Sequence, residues 1–182
     1  MKELSLNILD IAENSVKAQA KIITIEIAED EETLTLSVED DGTGMKQAFL
    51  EAVTDPFTTT RTTRNVGLGI PLLKMEAEMT GGSFSIDSRH ISDFPETHGT
   101  KTSATFFKNH LDMTPLGDIV STVVALIQCN PELDFVYHHN LPGREVALDT
   151  RELRSVLGEE VPLNNADVIV WIKEFLNEQY SD

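Results

Sequence analysis

Cysteine is all but missing from this 182-residue chain: Cys129 is the only one, so no internal disulfide can form and a reducing, cytoplasmic setting is expected. Basic residues are scarce too. Against 31 Asp and Glu there are 14 Lys and Arg, for a net charge of −17. Nucleic-acid binding draws on clustered cations, so this balance argues against a nucleic-acid partner. No apolar run approaches the ~20 residues that cross a bilayer, and no charged-then-apolar leader is visible, so no membrane association is expected. There is also no Gly-x-x-x-x-Gly-Lys-Ser/Thr run, which excludes a P-loop. What is left is ordinary for a soluble globular protein, with 40% hydrophobic and 25% charged residues. The length suits one full domain plus a small module.

Hydrophobic periodicity orders the chain. Ile8, Ile11, Ala12, Ser15 and Val16 repeat at helical spacing and predict a helix over 5–18 with one buried face. Asp10, Asn14 and Lys17 form a second, polar stripe on that helix. Alternating residues predict strands over 22–28 and 33–39, and the second runs into Asp40-Asp41-Gly42-Thr43-Gly44-Met45. A short helix over 46–53 and a threonine-rich segment, 54–65, come next. Gly67-Leu68-Gly69-Ile70 opens a further helix that Gly81-Gly82 closes. Strands over 83–88 and 101–107 complete a first unit, 1–109. The remaining module, 110–182, reads as a helix over 116–128, a hairpin about 140–143, and helices over 151–157 and 165–180. Cys129 is expected in the core at the end of an apolar helix.

Three short motifs carry chemistry. An asparagine amide oxygen is a hard, neutral ligand suited to Mg²⁺, and Asn14 faces the same space as the Asp10 carboxylate, which could orient or deprotonate a water. Alone, this stripe also reads as a solvated helix face. Asp40 at a strand end could accept from the exocyclic amine of adenine, with Gly42 and Gly44 permitting close approach, although such a turn is common in isolation. Gly67-Leu68-Gly69 places unpaired helix N–H groups where phosphate oxygens would be welcome. The few cations Lys17, Arg61, Arg64 and Lys74 all fall beside these motifs. His138 and His139, adjacent on a strand, point to opposite faces and suit no shared metal.

Order and spacing bind these motifs together. Asp10-x-x-x-Asn14-Ser15, Asp40-Asp41-Gly42-x-Gly44-Met45, Asp55-Pro56-Phe57, Val66-Gly67-Leu68-Gly69-Ile70 and Gly99-Thr100 resemble the five boxes of the GHKL superfamily, the ATPases shared by DNA gyrase, Hsp90, histidine kinases and MutL. The resemblance covers residues 3–108. It implies an α+β fold, the two-layer α/β sandwich called the Bergerat fold, with helices on one face of a mixed sheet. It implies ATP and Mg²⁺ as ligands. Asn14 matches the metal-coordinating asparagine, and Asp40 the adenine-reading aspartate, with Gly44 and Met45 lining the base. Phe57 and 58–65 resemble the ATP lid, from which Arg61 and Arg64 could reach the β- or γ-phosphate. Gly67, Leu68 and Gly69 match its phosphate-contacting hinge, and Thr100 the threonine of the last box.

Two departures bear on activity. The gyrase-like and Hsp90-like hydrolases have a glutamate four residues before the asparagine, where this chain has Asp10. One methylene fewer shortens its reach to a water, which implies slow hydrolysis or phosphotransfer. Asn65 stands where a further glycine is usual. The runs 55–60 and 66–74 lean toward the histidine-kinase branch, but no dimerising hairpin with an acceptor histidine precedes them. The chain also resembles short, free-standing ATP-binding proteins of anaerobic bacteria that carry such a C-terminal extension. His110-Leu111-Asp112-Met113-Thr114-Pro115-Leu116 echoes a phosphoacceptor motif, with Thr-Pro-Leu at the right offset. Equally, Thr114-Pro115 could simply start the next helix. The expected function is a signalling kinase or slow ATPase working with a partner protein, or a non-catalytic nucleotide sensor. A DNA-repair or chaperone ATPase is disfavoured, since no sizeable transducer domain follows.

Overall fold

The computed structural model describes residues 3–54 and 68–181. Its elements run α1 (Leu4–Lys17), β1 (Ile22–Glu29), β2 (Thr33–Asp40), α2 (Gln47–Val53), α3 (Gly69–Met79), β3 (Ser83–Arg89), β4 (Gly99–Phe107), α4 (Ile119–Cys129), β5 (Asp134–Leu141), β6 (Arg144–Asp149), α5 (Thr150–Leu157) and α6 (Ala166–Ser181). The strands form one six-stranded mixed sheet in the order β3-β4-β2-β1-β5-β6. Every neighbouring pair is antiparallel except β1 and β5.

Strand alternation puts one face of this sheet under helices. Thr102, Val38, Ile25, Tyr137 and Leu148 form one row across five strands, and Ala104, Leu36, Ile27, His139 and Val146 form the next. All ten are buried. Leu4, Ile8, Ile11 and Ala12 of α1 enter the same core, as do Val123 and Ile127 of α4 and Ile172 and Leu176 of α6. The other face stays open: Glu26 and Ala28 of β1 are exposed. This is the two-layer sandwich expected of the sequence.

The turns explain where elements stop. Between β1 and β2, the Asp30 carboxylate accepts from the N–H groups of Glu32 (2.8 Å) and Thr33 (2.6 Å). After α3, Gly81 takes a φ of 79° and its N–H bonds the Glu78 carbonyl. The helix expected from residue 116 starts three residues later. Gly117 has a φ of 78°, and Asp118 caps the new start by accepting from the Ser121 N–H at 2.9 Å. Cys129, expected in the core, is exposed, because as the last residue of α4 it lies off the stripe that ends at Ile127.

Sequence divides near residue 109, yet the sheet runs across that point. β5 extends the sheet from β1, and the carbonyls of Pro115 and Leu116 accept the first N–H groups of α1, from Leu4 (2.9 Å) and Ser5 (2.8 Å). A buried polar chain adds to this junction. His139, 2% exposed, occupies a core position on β5. Its Nε2–H donates to the Glu29 carboxylate at 3.0 Å, which also takes Lys108 Nζ at 2.8 Å. Its Nδ1 accepts from the Tyr180 hydroxyl at 2.7 Å, and that oxygen accepts from Tyr137 at 2.5 Å. Every member finds a partner only with a neutral imidazole.

Burial holds His139 below its ordinary value of 6.5, outweighing the attraction of Glu29. The folded state therefore resists the proton that the unfolded chain takes up. The stability contributed by neutral His139 is fully present above about pH 6.5 and falls as pH drops toward the depressed folded value. The melting temperature is expected to decline between pH 7.5 and 5.5, and His139→Gln to flatten that decline. An equally steep profile in the variant would assign the acid sensitivity to other groups.

Candidate functional site

The site forms beneath α1, where β2 ends and β4 begins. Asp40 closes β2, and the register sets it opposite Thr100 on β4. Its Oδ2 accepts from Ser15 Oγ at 2.6 Å and its Oδ1 from the Gly42 N–H at 2.8 Å. Burial raises its pKa above the usual carboxylate range, and the bonds from Ser15, Gly42 and Thr100 offset this only in part. A carboxylate has about four lone-pair positions, so Asp40 retains acceptor capacity toward the pocket. Asp41 turns away: its Oδ1 accepts from the N–H groups of Lys21 (2.7 Å) and Ile22 (3.0 Å) and locks the start of β1.

Backbones meet closely around Asp40. At Gly44 φ is +69°, and an added Cβ would come within 2.0 Å of the Arg89 carbonyl oxygen. At Gly99 a Cβ would fall 2.0 Å from the Asp40 carbonyl oxygen. No side chain fits either position. Ser88 fastens the same corner, its hydroxyl accepting from the Met45 N–H (2.8 Å) and bonding Thr100 Oγ1 (2.7 Å). His98 Nδ1–H donates to the Gly42 carbonyl at 2.5 Å.

Asn14, Lys17, Asp40, Gly44, Met45 and Thr100 line one cavity of about 230 Å³, with Ile11, Phe49 and Ile70 as apolar walls. Among the described residues, the Asn14 side chain makes no hydrogen bond to protein and is free to take a ligand. Asp10 stands one turn earlier on α1, against the first turn of α3. A Cβ on Gly69 would lie 2.9 Å from the Asp10 Cβ, so glycine there lets the two helices touch. Leu68, the N-cap of α3, gives no side-chain cap, so in this first turn Gly69 and Ile70 carry the backbone N–H groups while Pro71 has none.

Residues 2–112 match the family of histidine kinase-, DNA gyrase B-, and HSP90-like ATPases. The chain belongs to this family. Its N-terminal part is therefore a GHKL ATP-binding domain. The chain is similar to the Aquifex aeolicus MutL ATPase domain complexed with ADP, at 15% identity and a TM-score of 0.55, over 98% of this chain and 88% of that one. It is also similar to the N-terminal domain of a DNA repair protein, at 15% identity and a TM-score of 0.58, over 87% of this chain and 58% of that one. At such identity the likeness is one of fold, and it extends past the family match into the C-terminal segment. No curated protein matches the chain.

Of the expected residues, Asn14, Lys17, Asp40, Gly44, Met45 and Thr100 line one cavity, Gly42 adjoins it through Asp40, and Asp10 meets Gly69, next to Leu68, where α1 touches α3. Phe57, Arg61, Arg64 and Gly67, with the lid expected over 58–65, lie outside the described residues. His110 is not part of this cluster. It follows the far end of β4, and the seven residue steps from Thr100 to Phe107 alone span about 23 Å. Ser15, Ser88 and His98 are the residues that sequence reasoning missed as site members. Ser15, which ends the first box and belongs to the buried face of α1, gained its role only through its bond to Asp40.

Removing the Asp40 carboxylate is expected to weaken ATP binding tenfold or more, about 1.4 kcal/mol, in calorimetry on Asp40→Ala. An unchanged affinity would place the base elsewhere. Gly44→Ala is expected to lower the melting temperature and to lose ATP binding together, since the strained turn and the pocket wall are the same atoms.

Proposed function

We propose that this protein binds Mg-ATP in the Asn14–Asp40 pocket and turns it over slowly, as a signalling kinase or slow ATPase acting on or with a partner protein. The observation that supports this most is that Asn14 and Asp40 line one cavity while Asp10, one turn earlier on α1, stands against the first turn of α3. Among the described residues Asp10 makes no hydrogen bond to a protein donor, so its carboxylate is available to orient a water or a hydroxyl. The first turn of α3 offers N–H groups to phosphate oxygens. Asp40 is suited to accept from the adenine amine, with Met45 and Thr100 beside it.

The donor set fits magnesium. Mg²⁺ takes one or two protein oxygens and fills its remaining positions with phosphate oxygens and water, and Asn14 supplies such an oxygen without losing an internal bond. The ion would neutralise phosphate charge in a strongly acidic protein. The histidine-kinase branch is favoured by the motif pattern over 55–74. Asp10 in place of glutamate supports a second reading, a nucleotide sensor in which ATP orders the lid segment and turnover is incidental.

Labelled ATP separates these readings: free phosphate, an acid-labile phosphoprotein, or neither. Asp10→Glu is expected to raise phosphate release about tenfold or more, and Asp10→Asn to abolish it while ATP still binds. Rates indifferent to both changes would favour the sensor. Label that disappears in His110→Ala would assign the acceptor. Because of the length of β4, that transfer is expected to run between molecules, with a rate that rises with the square of protein concentration.

A further inference from the structure

The GHKL pocket leaves one large feature of the molecule unused. Between α5, α6 and the edge strand β6 lies a groove of about 670 Å³. Leu148, Leu153, Leu157 and Val168 form its floor, and Trp171 and Phe175 stack along one wall with centroids 4.8 Å apart. Val156 stands at the mouth, 83% exposed, and Trp171 is 46% exposed. A soluble chain gains nothing by holding an indole and a valine in water beside an apolar trough, so the surface reads as one made to be covered.

The charged residues that line the groove have one sign. Asp149, Glu152 and Asp167 border the groove, and among the described residues no lysine or arginine lines it. The Asp149 carboxylate is held by Arg151, whereas Glu152 and Asp167 lie in the first turns of α5 and α6, where the helix ends favour carboxylates. A small apolar ligand would find few converging polar groups to orient it. A second copy of the chain would bring the same acidic rim against itself, in a molecule that already carries −17.

Strand addition is blocked as well. The outward N–H and C=O of Ala147, midway along β6, are both taken by the Gln179 amide, at 2.9 and 3.0 Å. This side chain occupies the place of a neighbouring strand. The remaining mode is a helix laid between α5 and α6.

We propose that this groove receives an amphipathic helix of a partner protein, apolar on the inserted face and bearing lysine or arginine toward Glu152 and Asp167. Trp171 is the only tryptophan of the chain, so its emission reports on the groove. The probe is a synthetic peptide of about five helical turns with leucine at i, i+3, i+4 and i+7 and lysine elsewhere. A leucine/glutamate peptide of the same pattern is the comparison.

A saturable blue shift is expected with the lysine peptide, at least tenfold weaker binding of the glutamate peptide, and at least tenfold loss in Val156→Glu with an unchanged melt. Val156→Glu adds a negative charge, so adsorption of a polycation would strengthen in that variant and true insertion would weaken. No saturable shift, equal affinity for both peptides, or binding that survives Val156→Glu would each overturn the proposal. So would a dimer in sedimentation that Val156→Glu dissolves, since the occupant would then be a second copy.

Discussion

The seating of α1 on the middle of the sheet is the constraint on which the rest depends. Leu4, Ile8, Ile11 and Ala12 are buried against the rows of β1 and β2. Each large apolar side chain so buried contributes about 1.5–3 kcal/mol, so the rotation of the helix about its axis is not negotiable. Once that face is down, helical geometry puts Asn14 on the pocket and Asp10, one turn earlier, against the first turn of α3. The 2.6 Å bond from Ser15 to Asp40 then joins helix and strand at the point where the base would sit. Packing and chemistry are therefore set by one placement.

The second constraint is closeness of backbone. The pocket corner is built where three chain segments approach too nearly for any side chain, at Gly44 against Arg89 and at Gly99 against Asp40. Gly69 does the same service between α3 and Asp10. These contacts hold the acceptor of β2, the hydroxyl of β4 and the start of α3 within one small volume. A buried carboxylate at such a corner is costly, which is why its pKa rises and why Ser15, Gly42 and Thr100 all turn donors toward it. The surrounding donors make a carboxylate tolerable at this buried corner.

The C-terminal segment plays two roles with one set of helices. Its inner stripe, Val168, Ile172 and Leu176, completes the core that β5 extends from β1, and the Glu29–His139–Tyr180 chain pins the end of α6 to the sheet. Its outer stripe, with Trp171 and Phe175, borders the acidic groove. Fusing the segment to the ATP-binding sheet, instead of leaving it on a linker, gives a physical connection between the nucleotide end and the α5–α6 face. Gln179 protects the open edge that this fusion creates.

Much of this was legible in the chain itself. Alternation located β1 and β2, paired runs located the other four strands, the helical stripes located the long helices, and the ordered boxes named the family, because local patterning and backbone demands are written in residue types. Asn14, Asp40, Gly44 and Thr100 could be picked out as candidates from their order and spacing, and the fold brings these four to one cavity. The tertiary structure alone decided the parallel union of β1 with β5, the delayed start of α4 at Gly117–Asp118, and the exposure of Cys129. It alone turned Ser15, Ser88 and His98 toward the site, made His139 a core residue, and set His110 a strand's length from the pocket. Those outcomes depend on which distant segments meet, and sequence spacing carries no term for contacts between residues a hundred positions apart.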